Sequence, residues 1–442
     1  MYLLYSVLLL SALVATAPYF LYQIFLHKKY FGSLKQRFAF SLPKLRPSTK
    51  RLLLHTVSVG EFLAAQPLIE KLRSLLPDYQ LVITTTTAAG QKLAQNRAAD
   101  YADICYFPLD FGFSTGCFLD HIKPKVVVIL ETEIWPNFLA QAAKRDIPVV
   151  IANGRISDRS FGRYKAIKFI LEKVLSNITL FLMQSSRDVE RIVALGSEAS
   201  KVFHFGNIKY DIGSDQMERL DTVAAELDKL LGLKNSSKII VAGSTVSGEE
   251  GIFLSAYKQL IVQPGLEDTR LILAPRHPER FEAVAKLLLS LKIDFVRRSA
   301  MKLGDKVEKV VLLDSIGELA AIYRFADIVF VGGSLIPHGG HNILEPALYG
   351  RAIITGSHTS NFHKIVEDFL AAEALIQLPV TNSEKECEQS LAAELIRMME
   401  DEKLCTELGS RALEVIKANR GAVDRHIDKI ASLLKQKEVM KN

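Results

Sequence analysis

Hydrophobic and polar positions divide the chain into three regimes. Residues 1–26 carry no charge, a run long enough as a helix to cross ~30 Å of hydrocarbon. From Arg51 the pattern changes to short apolar runs separated by amphipathic segments. In the first half the runs are 52–57, 80–85, 104–107, 125–130, 149–152, 179–183 and 201–205, with helical patterns such as 62–76 and 164–175 between them. A polar helical stretch over 214–234 ends in Asn235-Ser236-Ser237, a plausible boundary. The rhythm then resumes with runs at 238–242, 270–275, 294–297, 310–314, 327–331 and 352–355 and closes in a helical tail. Strands that are apolar throughout and alternate with helices predict parallel sheets covered on both faces.

The halves also open alike. Thr56-Val57-Ser58-Val59-Gly60-Glu61 follows the first strand of one, and Thr245-Val246-Ser247-Gly248-Glu249 that of the other. The expected architecture is α/β: two doubly wound, Rossmann-like domains facing a central cleft at the carboxyl ends of their strands, where ligands bind in such sheets. The boundaries read as a membrane helix over 1–27, a first domain over 28–213 and a second over 214–442.

Charge refines the picture of the amino-terminal run. Lys28, Lys29, Lys35, Arg37, Lys44, Arg46, Lys50 and Arg51 follow it, and the first acid of the chain is Glu61. Positive residues after the span and none before it predict a single-pass signal anchor with the body on the cytoplasmic side. The same stretch is suited to meet anionic lipid phosphates. A cleaved signal peptide is the rival, since Ala15-Thr16-Ala17 resembles a cleavage site. It lacks a basic leading region and is followed at once by Pro18.

Composition narrows the classes further. Hydrophobic residues make up 49% and charged residues 24% of 442 positions, which excludes a disordered, collagen-like or small disulfide-held chain. A mean hydropathy of +0.16 agrees with some membrane association, while a single long apolar run excludes a polytopic transporter. Cys105, Cys117, Cys387 and Cys405 lie far apart without a CxxC pair and read as reduced, structural thiols. The GxGxxG and P-loop patterns are absent, and so is DxD, which disfavours a metal-clamped nucleoside diphosphate.

Candidate chemistry gathers after the strands. Glu61 follows Val59-Gly60 and opens a helix, where it is either a base for an attacking hydroxyl or a carboxylate complementing the helix dipole. In Glu131-Thr132-Glu133-Ile134-Trp135-Pro136-Asn137 two acids, an amide and the single Trp resemble a site rim, although either acid could cap the next helix. Lys209, in Gly206-Asn207-Ile208-Lys209-Tyr210, is a cation for an anionic ligand or a solvated loop residue.

In the second half, Arg276 of Ala274-Pro275-Arg276-His277 suits paired bonds to an anion, with Pro275 fixing the backbone. Asp314-Ser315-Ile316-Gly317-Glu318 reads as a helix start offering N–H groups to a phosphate, or as plain capping by Asp314 or Ser315. Gly332 to Ala347 pairs glycines after a strand with Asn342 and Glu345, three apart on one helix face, where a carboxylate can hold ribose hydroxyls. His338 and His341 lack the further ligands of a metal site, so no cofactor is expected.

Taken in order, HTVSVGEF, ETEIWPN, GNIKYD, PRHPER and GGSLIPHGGHNILEPA resemble the motifs of the 3-deoxy-D-manno-octulosonic acid (Kdo) transferases of lipopolysaccharide synthesis, over nearly the whole chain. The resemblance implies a GT-B glycosyltransferase of the cell inner membrane. It would transfer Kdo from CMP-Kdo to a lipid A precursor (lipid IVA) with inversion and without a metal. It implies Glu61 as general base, and Glu131 and Lys209 as groups stabilising the transition state. Contacts to CMP-Kdo fall on Pro275, Arg276, Ile316, Gly317, Glu318, Asn342, Ile343, Leu344 and Glu345. The family commonly has a different residue at His338, outside these contacts. A nucleotide-sugar 2-epimerase and a periplasmic two-domain binding protein are the alternatives.

Overall fold

The computed structural model describes residues 1–27, 31–211, 214–236 and 238–439. Lys28 and Lys29 of the expected basic stretch and Ser237 of the expected boundary lie outside them. The chain divides into two compact units, one formed by 1–213 with 420–442 and the other by 214–419. From Arg420 onward the helical tail goes with the first unit rather than the second.

The first unit is built on a sheet of seven strands: β1 (Arg51–Thr56), β2 (Gln80–Thr85), β3 (Ala102–Tyr106), β4 (Val126–Leu130), β5 (Val149–Gly154), β6 (Leu180–Met183) and β7 (Val202–His204). Their order is β3-β2-β1-β4-β5-β6-β7 and every neighbouring pair is parallel. Leu52, Leu53 and Leu54 of β1 are all fully buried. Leu52 and Leu54 face one helical layer and Leu53 the other, which is why the strand reads as an unbroken apolar run.

The expected helix over 62–76 is two helices, Val59–Ala64 and Gln66–Leu75, that break at Ala65 with Pro67 in the first turn of the second. Proline has no N–H to continue the ladder and is at home there. The chain order reverses where β1 meets β4, the position at which doubly wound sheets take their ligands. Glu61 follows β1 and Glu131 follows β4.

The second unit repeats the plan with β8 (Ile239–Thr245), β9 (Arg270–Pro275), β10 (Phe295–Arg297), β11 (Val310–Leu312), β12 (Ile328–Val331), β13 (Ala352–Thr355) and β14 (Ile376–Gln377). The order is β10-β11-β9-β8-β12-β13-β14, again with parallel pairs throughout. The reversal falls between β8 and β12. β14 is two residues long and only partly buried, too short to leave a sequence pattern.

The amino-terminal expectation is corrected. Tyr2–His27 is a helix with Pro18 inside it, yet among the described residues no helix is long and apolar enough to cross a membrane. The single-pass anchor, and the inner-membrane placement and cytoplasmic orientation that rested on it, are therefore not supported. The described part of the helix instead spends polar groups on the first unit. Asn177 Nδ2 donates to Tyr2 Oη at 2.9 Å, Asn137 Nδ2 to Ser6 Oγ at 3.0 Å, and the Tyr5 hydroxyl is hydrogen-bonded to the Asp110 carboxylate.

Several of the basic residues that follow are likewise engaged within this unit. Arg37 lies 4.5 Å from the centre of the Tyr106 ring. Arg46 meets Asp103 through its backbone N–H at 3.2 Å, and Arg51 Nη2 donates to the Arg46 carbonyl at 3.2 Å. All four cysteines are free thiols.

Candidate active site

In the first unit, Ser58 caps the helix Val59–Ala64 and Glu61 stands in its first turn. The Glu61 carboxylate accepts the Val57 N–H at 2.7 Å and the Ser58 hydroxyl at 3.1 Å, a variant of the capping box in which the glutamate reaches back past the cap. Burial pushes the carboxyl up to about 7; the charges of Glu131 and Glu133 add to the rise, and the bonds from Val57 and Ser58 oppose it. This geometry is that of the helix-terminus reading of Glu61.

Glu131 follows β4 in a left-handed conformation with φ 56°, costly for a residue with a side chain. Its N–H donates to the Ala152 carbonyl at 2.9 Å, and its carboxylate pairs with Lys209 Nζ at 3.1 Å. Lys209 is therefore not a solvated loop residue. Burial, and then Glu131, raise the pKa of Glu133. Neither acid caps the helix Pro136–Ala143. Asp110 does so, accepting the N–H groups of Asn137 at 3.1 Å and Phe138 at 2.7 Å. Burial pushes the Asp110 carboxyl up to about 7 against the bonds that hold its charge.

Lys209 is positioned by its own segment and by residues far from it in sequence. Its short turn, Ile208–Tyr210, is fixed by Asn207, whose side chain accepts the Lys209 N–H at 3.0 Å. The Ile208 N–H donates to Asn153 Oδ1 at 3.1 Å, and the Asn153 N–H donates to His426 Nε2 at 3.0 Å. His426 Nδ1 faces the Ala422 carbonyl at 2.7 Å, so the partners assign Nδ1–H as donor and Nε2 as acceptor. Burial lowers the pKa of this imidazole to about 4, keeping it in the neutral form the pattern needs. Asp211 accepts the N–H groups of Gly421 at 2.7 Å and Val423 at 2.6 Å, joining the helix Ala422–Val439 to the same turn.

In the second unit, Arg276 follows β9, and its N–H donates to the Thr245 carbonyl at 2.9 Å. Its exposed guanidinium makes no hydrogen bond or ion pair among the described residues, yet its charge acts on both Glu345 and His341. Burial lowers the pKa of His341 to about 4, helped by Arg276 and His338. Burial raises the pKa of Glu345, while Asn342 and Arg276 oppose the rise.

Asn342 Nδ2 donates to Glu345 Oε1 at 3.3 Å and Asn342 Oδ1 accepts the Leu344 N–H at 3.1 Å. Asn342 thus stands just ahead of the helix Leu344–Ala347, and its side chain still meets Glu345. Gly332 lets β12 approach β8: a Cβ there would lie 2.5 Å from the Ser244 carbonyl oxygen.

The segment 314–318 differs from its expected form. The next helix is the single turn Leu319–Ile322, with no side-chain cap, so neither Asp314 nor Ser315 caps it. Asp314 is held elsewhere, by Arg297 Nε at 2.8 Å and the Ser299 N–H at 2.7 Å. Glu318 pairs with Arg298 at 2.6 Å, Gly317 adopts φ 89°, and Ile316 is 81% exposed.

Glu249 is the residue most clearly missed. It is fully buried, and its carboxylate accepts four backbone N–H groups, from Val246 (3.1 Å), Gly333 (2.6 Å), Ser334 (2.8 Å) and Leu335 (2.8 Å). The repeated Thr-Val-Ser segment was the available signal. Among the described residues no group of three or more His, Cys, Asp or Glu side chains could hold a metal ion.

Comparison with known proteins identifies the family. A family profile described as 3-deoxy-D-manno-octulosonic-acid transferase (kdotransferase) matches residues 32–212. A 3-deoxy-D-manno-octulosonic acid transferase of Haemophilus influenzae is 36% identical over 92% of this chain and 93% of its own length. One from Rickettsia bellii is 30% identical over 78% of this chain and 80% of its own.

Among solved structures, a UDP-GlcNAc 2-epimerase from Neisseria meningitidis aligns with a TM-score of 0.60 at 13% identity, covering 86% of this chain and all of that one (100%). A glycosyltransferase from Rickettsia africae aligns with a TM-score of 0.54 at 13% identity, covering 89% and 99%. These two likenesses concern the fold alone. The sequence relatives decide between transferase and epimerase, and the chain belongs to the 3-deoxy-D-manno-octulosonic acid transferase family of glycosyltransferases.

Proposed function

We propose that the enzyme transfers Kdo from CMP-Kdo to a lipid A precursor, with inversion and without a metal ion. The observation that carries the reading is the placement of the Glu61 carboxylate after β1, at the reversal of the sheet, where it is held by the Val57 N–H at 2.7 Å and the Ser58 hydroxyl at 3.1 Å and burial beside Glu131 and Glu133 pushes it up to about 7. A base whose pKa lies near neutrality both exists in the deprotonated form and holds a proton once taken. Glu61 removes the proton from the acceptor hydroxyl as its oxygen attacks the anomeric carbon, and the bond to the CMP phosphate breaks in the same displacement. A single displacement inverts the configuration.

Lys209 and Glu131 act beside it. The ammonium stabilises negative charge and the carboxylate the oxocarbenium character that develops on the sugar. In the second unit Arg276, with Pro275 fixing its backbone, meets the CMP phosphate. Glu345, aligned by Asn342 on the turn through Ile343 and Leu344, holds the ribose hydroxyls. Exposed Ile316 offers apolar surface to the base, with Gly317 and Glu318 shaping its loop. A monophosphate leaving group presents less charge than a diphosphate, and Arg276 with nearby backbone N–H groups suffices for it.

The test is incubation of the purified protein with CMP-Kdo and lipid IVA, with product mass read by mass spectrometry and anomeric configuration by NMR. An added Kdo mass with inverted configuration, persisting in chelator, is the expected result. A retained configuration, or loss of turnover in chelator with recovery on adding a divalent ion, overturns the corresponding part of the reading.

A further inference from the structure

The second unit contains a cavity of about 410 Å³ between the segments that follow β12 and β13. Pro337 and Gly339, from the loop after β12, form one wall; Ser357, His358, Thr359 and Ser360, from the loop after β13, and His363, which opens the next helix, form the other. The two loops are locked together. The His358 N–H donates to the Ser334 carbonyl and the Asn361 N–H to the Gly339 carbonyl, each at 2.9 Å. The Gly356 N–H donates to Ser334 Oγ at 2.9 Å. A Cβ at Gly356 would lie 2.1 Å from the Ser334 carbonyl oxygen, so the approach requires glycine. The walls are thus preorganised, and no ligand has to order them.

The chemistry of the lining is one-sided. The Ser357 and Ser360 hydroxyls and the His358 imidazole make no side-chain hydrogen bond among the described residues, and His363 Nε2 meets the Glu367 carboxylate at 3.2 Å. No carboxylate lines the space. Ligand pockets span roughly 300–1,000 Å³, so this one suits a monosaccharide rather than a whole nucleotide sugar. It adjoins the nucleotide residues through the chain itself. His338, between the two wall residues Pro337 and Gly339, has its ring centre 5.3 Å from that of His341, and Asn342 follows directly.

We infer that this cavity receives the sugar-acid portion of the donor, with Ser357, Ser360 and His358 hydrogen-bonding its carboxylate and hydroxyls. Hydrogen bonds to an ionised carboxylate are the stronger kind, and a wall of uncommitted donors without a competing carboxylate is what such a group requires. The assignment rests on the proposed CMP-Kdo reading and extends it to the half of the donor that the nucleotide residues do not reach.

The test compares CMP affinity by calorimetry with the KM for CMP-Kdo in His358→Ala and Ser360→Tyr. The second variant fills the cavity from an exposed position and keeps the experiment informative if the first does not fold. The expected result is a KM for CMP-Kdo raised about tenfold or more with CMP affinity within about twofold of wild type. An equal loss of CMP affinity would place the nucleotide in the cavity and overturn the assignment, as would two folded variants with unchanged KM. Wild-type protein that neither binds CMP nor consumes CMP-Kdo would overturn the parent reading, and this one with it.

Discussion

Glu249 repeats in the second unit what Glu61 does in the first: each carboxylate accepts the N–H of the valine in its own Thr-Val-Ser segment, Val246 at 3.1 Å and Val57 at 2.7 Å. The two then diverge. A carboxylate offers about four acceptor sites. Glu249 fills the remaining three with backbone N–H groups from the loop after β12, whereas Glu61 takes one further bond, from Ser58. One is spent on holding a loop, and the other keeps capacity for a proton.

Glu61→Gln should therefore lower turnover by about 10²–10⁴ while leaving CMP affinity unchanged, because the residues proposed for the nucleotide lie in the other unit. In the wild type only the deprotonated carboxylate can act. With its pKa raised to about 7, turnover should rise with pH through that value and level off above it. Near-wild-type transfer by the glutamine variant, or an acid limb near the ordinary glutamate value, would refute the base assignment.

Lys209→Met removes the cation paired with Glu131 and leaves an uncompensated carboxylate near Glu61. Like charges favour the protonated form, so the acid limb should move to higher pH and maximal turnover should fall by about tenfold or more. A pH profile superimposable on that of the wild type would show that the ion pair does not act on Glu61.

Arg276→Ala and Glu345→Ala should each weaken CMP binding by about ten- to a hundredfold, the loss of one charge-assisted bond. Calorimetric titration with CMP alone separates this from any effect on the acceptor. Unchanged affinity in both variants would remove these residues from the nucleotide site.

Glu249→Ala orphans four buried N–H groups, each costing about 1–3 kcal/mol when unsatisfied. It should lower the thermal midpoint far more than an exposed change such as Glu279→Ala. Glu249→Gln keeps one acceptor oxygen and should fall between the two. Equal midpoints for the three proteins would mean that the loop after β12 does not depend on this carboxylate.

Much of the fold was legible because strands buried on both faces leave unbroken apolar runs, as Leu52 to Leu54 do. β14 was not, since two partly buried residues carry no periodicity, and the break at Ala65 hid inside a continuous helical pattern. Among the candidate residues, Glu61, Glu131 and Lys209 stood out because each follows a strand, which the local pattern reveals. Asp110, Asn153, Asp211 and His426 act through partners remote in sequence, such as Asn153 and His426, 273 positions apart. No local spacing encodes such contacts. The apolar composition of residues 1–26 misled in the opposite way: lack of charge does not reveal that Tyr2, Tyr5 and Ser6 have polar partners in the first unit.

The His426–Asn153 and Asp211–Gly421 bonds have a consequence for how the polypeptide is made. The unit holding Glu61 and Lys209 is assembled from both ends of the described chain, with the whole of the other unit lying between them in sequence. During synthesis 214–419 leaves the ribosome and is free to fold before the last helix exists to brace the Lys209 turn, since domains fold as units while the chain emerges. The turn that carries Lys209 is therefore braced only after 214–419 has emerged, and a truncation that removes 420–439 would injure the amino-terminal unit while sparing the one that precedes those residues in sequence.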